Sequence, residues 1–276
     1  MPWHAHLSLH YQRQGGRTVL RHTHKGPLRI FKSLYPESEA ICHNVIVHPP
    51  GGIVGGDRLD IRITADAGAH GLASTPGATR FYASDGEPGT QQVDIRLAAG
   101  ARLEWLPLET LAYPGCRAHN HLRMVLEDDA EMIGWDILAL GLPAAGQPFT
   151  QGQFVQRIEW PGVWLEQARI DGQDQRLLES PLGLGGRRCL GTLWLASARP
   201  MGDARRETLL DAVRAALPSA GGGLDMAATC PDPRLLVVRG LAPLVEPLMA
   251  GLQAAWARLR HQAWELPAEP PRIWRV

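Results

Sequence analysis

The chain has 276 residues with 28 basic and 28 acidic side chains, so its formal net charge is zero. Balanced charge argues against nucleic-acid or membrane-surface binding driven by net attraction. Four cysteines with no C-x-x-C pair do not make a disulfide framework. Met1–Arg13 carries His4, His6 and His10 where a signal peptide would have its apolar run, so a cytoplasmic protein is expected. The charge-free stretch from Ile137 to Gln156 contains Pro143, Pro148 and several glutamines, which exclude it as a membrane span.

Strand patterns dominate the first two thirds. Ile61 and Ile63 alternate with Arg62 and Thr64; Val93, Ile95 and Leu97 with Asp94 and Arg96; Leu122, Met124 and Leu126 with Arg123. Period-two alternation predicts strands with one buried face. These strands lie in a weak internal repeat. Leu59–Ile63 leads into Ala65-Asp-Ala-Gly-Ala69, Val93–Leu97 into Ala98-Ala-Gly-Ala101, and Leu122–Leu126 into Glu127-Asp-Asp-Ala130. The turn alanines, Ala69, Ala101 and Ala130, stand 32 and 29 positions apart, and each turn leads into another apolar stretch. A strand–turn–strand unit recurring near 30 residues predicts stacked β layers, as in a β-solenoid or a double-layer sheet. The last third changes character. Asp203 to Leu217 reads as an amphipathic helix with Asp203 as N-cap and Leu209, Leu210, Val213 and Leu217 on one face. Leu235–Val238 is strand-like. Pro247 to His261 reads as a second helix with Leu248, Leu252, Ala255, Trp256 and Leu259 on its apolar stripe.

The densest motif is His48-Pro-Pro-Gly-Gly-Ile-Val-Gly-Gly-Asp57-Arg-Leu. Its glycines permit close backbone approach, but it is neither a phosphate loop nor a dinucleotide fingerprint. It reads either as a tight turn presenting Asp57 or as a turn whose aspartate caps its own backbone. Ser74–Tyr82 presents Arg80, whose planar fork suits a carboxylate. Glu104 and Glu109 point to opposite faces of an extended chain and make a poor acid/base pair. Histidine pairs occur at His4/His6, His22/His24 and His119/His121, and Cys116-x-x-His119-x-His121 has ligand types suited to nickel, copper or zinc. Surface histidines in a chain with 11 of them are the competing explanation for each pair.

Together these motifs resemble the urease accessory protein UreD (UreH) family. The resemblance is carried by Leu34-Tyr-Pro-Glu37, by His48–Leu59 and by Thr75-Pro-Gly-Ala-Thr-Arg-Phe-Tyr82. It continues in Leu103–Thr110, Trp135-Asp-Ile-Leu-Ala-Leu-Gly141 and Pro271-Arg-Ile-Trp274, and so runs through nearly the whole chain. It implies one domain over residues 1–276, mainly β, of stacked two-layer β-helix-like sheets with two α-helices in the C-terminal third. It also implies a non-enzymatic scaffold that, with UreF and UreG, docks on apo-urease and helps pass nickel through an internal tunnel. No tightly bound cofactor is expected, only Ni2+ in transit. A conduit must release its ion as readily as it admits it. Asp57, Asp136 and Glu166 are therefore the expected path-lining acids, ahead of Cys116, His119 and His121, which as a cage would trap the metal. Leu142, Gln147 and Gln167 stand where the family usually carries charge. Two rival readings remain: a histidine-based nickel-storage or sensing protein, and a β-solenoid enzyme using Asp57, Asp136 or Glu104 in acid/base work.

Overall fold

The computed structural model describes residues 2–219 and 221–275. The alternating segments form strands where the pattern places them. β1 (His4–Gln14) and β2 (Arg17–Lys25) make a hairpin, followed by β3 (Arg29–Ile30), β4 (Ile41–Val47), β5 (Arg58–Ala65) and β6 (His70–Ser74). Next come β7 (Thr79–Phe81), β8 (Gly89–Leu97), β9 (Arg102–Leu106), β10 (Thr110–Ala112), β11 (Arg117–Leu126) and β12 (Glu131–Leu142). β13 (Gln147–Pro148), β14 (Gln153–Trp160), β15 (Trp164–Asp171) and a short helix α1 (Gln175–Glu179) precede β16 (Cys189–Ser197). The chain ends with α2 (Asp203–Ala216), β17 (Asp225–Asp232), β18 (Leu235–Ala242) and α3 (Val245–Trp264).

Seven strands make one sheet, in the order β15-β14-β11-β8-β5-β1-β2. The second sheet has 11 strands, and its main path runs β17-β18-β16-β12-β9-β6-β4-β3. The repeat is the crossing between them. β5, β8 and β11 lie parallel in the first sheet, while β6, β9 and β12, which follow them, lie parallel in the second. Each crossing uses the same turn: the N–H groups of Ala69, Ala101 and Ala130 bond back to Asp66, Ala98 and Glu127 at 3.0 Å. Gly68 and Gly100 then donate to Ala99 and Asp128 of the next turn at 3.1 Å, so the turns themselves stack. The left-handed position falls on Gly68 (φ 67°) and Gly100 (φ 66°), and on Asp129 (φ 50°) in the third unit, aspartate being one of the few side chains that tolerates it.

Two cores result. Leu7, Leu9, Ile63, Ile95, Leu97 and Met124 of the first sheet meet Leu103, Met132 and Trp194 of the second. On the far side of the second sheet, α2 and α3 cover Ile133, Leu193 and Leu236 with Leu209, Val213, Leu252 and Leu259. This is a layered arrangement of sheet, sheet and helix pair. The expected helices are present with shifted ends. Gly202, not Asp203, is the N-cap of α2; Asp203 is its first residue and pairs with Arg206 at 2.7 Å. α3 begins at Val245, so Pro247 lies in the first turn, where its missing N–H has no intrahelical acceptor to lose. Among the described residues, no helix is long and apolar enough to cross a membrane.

A buried ionic network fastens α3 to the second sheet. Glu104 is fully buried and accepts from Trp256 Nε1 at 2.8 Å and Arg260 Nε at 3.2 Å, with His70 Nε2 at 3.2 Å. Arg260, equally buried, also pairs with Glu37 at 2.7 Å, and His43 Nε2 lies 2.7 Å from the same carboxylate. Burial pushes the Glu104 carboxyl up, but the His70 hydrogen bond and the Arg260 charge outweigh it and hold the group below its ordinary range. Glu104 is thereby a fastening residue rather than the acid/base group considered above. Removing one partner of a buried pair leaves the other charge uncompensated, so Glu104→Gln is expected to lose about 3–5 kcal/mol in urea unfolding. Glu39→Gln, which removes only an exposed partner of Arg17, is expected to lose about 0–1 kcal/mol in the same measurement.

Candidate functional site

Parallel in-register stacking carries a residue's position from one strand to the next. Gln91 of β8 stands beside Asn120 of β11, which stands beside Gln156 of β14. All three amides face the second sheet, between rows of apolar residues such as Val93, Leu122 and Ile158. They bond in series: Gln91 Nε2 donates to Asn120 Oδ1 at 3.1 Å, and Asn120 Nδ2 to Gln156 Oε1 at 3.2 Å. Asn120 Nδ2 also donates to Asp136 Oδ2 on the facing strand β12, at 3.1 Å. Gln156 is 9% exposed.

The second sheet supplies the opposing row. Asp136 of β12 pairs in register with Thr192 of β16, and Thr192 with Arg239 of β18. Glu166 of β15 reaches across from the first sheet. Its Oε1 accepts from Thr192 Oγ1 at 2.9 Å, and its Oε2 takes Arg239 Nη2 at 2.5 Å. Asp136 and Glu166 thus share one polar seam in the layer between the two sheets. Burial pushes the Asp136 carboxyl up to about 6, and the Glu166 charge adds to this against the opposing pull of the Gln156 and Asn120 amides.

The seam opens into space at one end. A cavity of about 200 Å³ is lined by His48, Gly51, Gly52, Thr79, Arg80, Gln91, Trp105 and Pro107. Thr79, Gln91, Trp105 and Pro107 also line a neck of about 10 Å³ that reaches Asn120 and Asp136. That volume holds roughly one water-sized particle. The glycine-rich motif builds the wall of the wider cavity. Ile53 N–H bonds to Arg80 O at 2.7 Å, and Tyr82 lies so close over Gly52 that a Cβ there would meet its ring at 2.0 Å.

Asp57 plays a different part from the other two acids. Its Oδ1 accepts from Trp3 N–H at 2.8 Å and its Oδ2 from Val54 N–H at 3.2 Å. It caps its own loop and ties the N-terminal segment to it, so the capping alternative describes its contacts. The Cys116 cluster does not assemble. Cys116 is buried in the core, where burial pushes its thiol up to about 12, whereas His119 and His121 lie on the outer face of β11 with stacked rings 5.7 Å apart. Among the described residues, no three His, Cys, Asp or Glu side chains are grouped to hold a metal ion. Glu109 lines a separate cavity of about 480 Å³ with Glu246 and Cys189. The uncharged positions lie outside the seam: Leu142 and Gln147 pair in the β12–β13 hairpin, and the exposed Gln167 accepts from Arg157 at 3.0 Å.

The amide row, Thr192 and Arg239 went unnoticed in the sequence because each amide stands in a different strand. The available signal was positional: Gln91, Asn120 and Gln156 each precede an inward apolar residue by two places, at Val93, Leu122 and Ile158.

The raised Asp136 group has a signed consequence for stability. A carboxyl whose folded-state pKa exceeds its unfolded value of 3.8 costs nothing below about pH 4, and its penalty grows as pH rises through about 6. A shift of roughly two units corresponds to at most about 3 kcal/mol. Asp136→Asn is expected to be more stable than the parent at pH 8 and equal to it near pH 4, as read by thermal melting across pH.

The family described as "UreD urease accessory protein" matches residues 4–275 of the chain. The urease accessory protein UreD of Variovorax paradoxus (strain S110) is 57% identical over 274 residues, with 99% of each chain covered. That of Polaromonas sp. (strain JS666 / ATCC BAA-500) is 55% identical over 276 residues, with both chains covered completely. The UreD of Leptothrix cholodnii (strain ATCC 51168 / LMG 8142 / SP-6) is 50% identical over 278 residues, again with complete coverage. With the layered β fold and agreement along the full chain, this protein belongs to the UreD urease accessory protein family.

Proposed function

We propose that this chain is a non-enzymatic scaffold of urease maturation which passes Ni2+ along the seam between its sheets, acting with UreF and UreG on apo-urease. The observation that carries the reading is Asp136, a half-buried carboxylate at the neck of a cavity, bonded by Asn120 and near enough to Glu166 to feel its charge, while Glu166 is itself bonded by Thr192 and Arg239. Carboxylate and carbonyl oxygens hold late divalent metals more loosely than imidazole or thiolate does. Loose binding is what transit requires, since an ion must leave as readily as it enters. A neck that takes one water-sized particle admits a partly dehydrated cation and excludes larger solutes.

Asp57 contributes by position. It fixes the glycine-rich loop that forms the cavity wall, so its loss acts on the loop before it acts on the ion. The outer-face pair His119 and His121 lies away from the seam and is not required by this reading.

The test is urease activation in cells that carry urease and the other accessory proteins, with this chain supplied in variant form. Asp136→Asn and Glu166→Gln are expected to lower active urease roughly 10-fold or more at unchanged apo-urease levels. The double variant His119→Ala, His121→Ala is expected to leave activation unchanged. Asp57→Ala, which orphans two N–H groups, is expected to lower stability by about 1–3 kcal/mol in a denaturant titration. Full activation by Asp136→Asn would sink the proposal. Co-purification with UreF, UreG and apo-urease tests the assembly separately.

A further inference from the structure

Glu166 is already occupied by a positive charge. The Arg239 guanidinium places Nη2 at 2.5 Å and Nε at 3.2 Å from Oε2, while Thr192 takes Oε1 at 2.9 Å. The arrangement follows from register: Asp136, Thr192 and Arg239 are directly opposed on β12, β16 and β18, so all three point into the same layer. Arg239 occupies the solvent side of the pair, its side chain 54% exposed against 24% for Glu166. A guanidinium in that position can swing into water without disturbing either core, and its pairing is screened and weakly held. On the inner side stands Asp136, whose Oδ2 accepts from Asn120 Nδ2 at 3.1 Å. The seam therefore holds two carboxylates, closed on its outer side by the half-exposed Arg239 guanidinium.

We propose that Arg239 is a displaceable internal counter-ion, so that a divalent metal reaches Glu166 only by displacing the guanidinium, and the returning guanidinium displaces the metal. The inference rests on the nickel-path reading and adds the residue that sets how long the ion stays. No bond is made or broken beyond coordination. The metal's two charges replace the single charge of Arg239 beside Asp136 and Glu166, and the guanidinium moves into solvent. Without Arg239 the pair of acids becomes a better trap and a poorer conduit. Lysine at this position supplies the same charge without the fork.

The experiment titrates nickel chloride into the full-length chain by calorimetry at neutral pH. Arg239→Met is expected to bind Ni2+ roughly 10-fold tighter than the parent, and Arg239→Lys to stay close to it. The gain is expected to vanish when Arg239→Met is combined with Glu166→Gln. In the activation assay, Arg239→Met is expected to retain nickel and yield less active urease. An affinity within about twofold of the parent for Arg239→Met, or a gain that persists without Glu166, overturns the exchange. Asp136→Asn separates the two levels. Normal activation by that variant overturns the nickel path and the exchange with it, whereas an inactive Asp136→Asn beside an unaltered Arg239→Met overturns the exchange alone. If Arg239→Met does not fold, Arg239→Gln is read under the same outcomes.

Discussion

Two facing β-sheets about 10 Å apart have room for one layer of side chains from each, and every group in that layer must be apolar or find a partner. In this protein one row of the layer is polar: Gln91, Asn120 and Gln156 against Asp136, Thr192 and Arg239, with Glu166 bridging. Parallel register makes such a row possible, because a residue on one rung lies directly beside its counterpart on the next. The apolar rows on either side hold the sheets together around the seam. The shape of the neck, the raised Asp136 carboxyl and the Arg239–Glu166 pair all follow from that single constraint.

Two ionic clusters show how placement decides role. Around Glu104, Arg260 and Glu37 the charges are fully buried between sheet and helix, and closing aromatic donors from Trp256 leave little freedom. That cluster fastens α3. Around Glu166 the cation is half exposed and free to leave, while the neighbouring Asp136 is held by amides rather than by a fixed counter-charge. The same residue types make a clamp in one layer and an exchangeable site in the other.

Much of the architecture was legible in the chain. Alternation at Ile61–Ile63, Val93–Leu97 and Leu122–Leu126 located three parallel strands, and the turns at Ala69, Ala101 and Ala130 located the crossings between layers. The apolar stripe from Leu248 to Leu259 located the long helix. Helix ends were less well defined, because Gly202 and Leu244 terminate helices without a side-chain cap. The short helix α1 and the edge strand β17 lacked a long enough pattern to be seen.

Local order set the strands, the turns and the residue types available, since periodicity and turn chemistry act between near neighbours. Resemblance along the chain set the family. Which acids share a site was decided only by tertiary structure. Asp57, Asp136 and Glu166 look alike in the sequence, yet one caps a loop and the other two meet across a seam. Cys116 and His119 stand three places apart and face different environments, whereas Glu166 and Arg239 stand far apart in the chain and form an ion pair. The reason is geometric. A strand turns successive side chains to opposite faces, so closeness in sequence separates them, and only the stacking of rungs and the facing of sheets brings distant residues together.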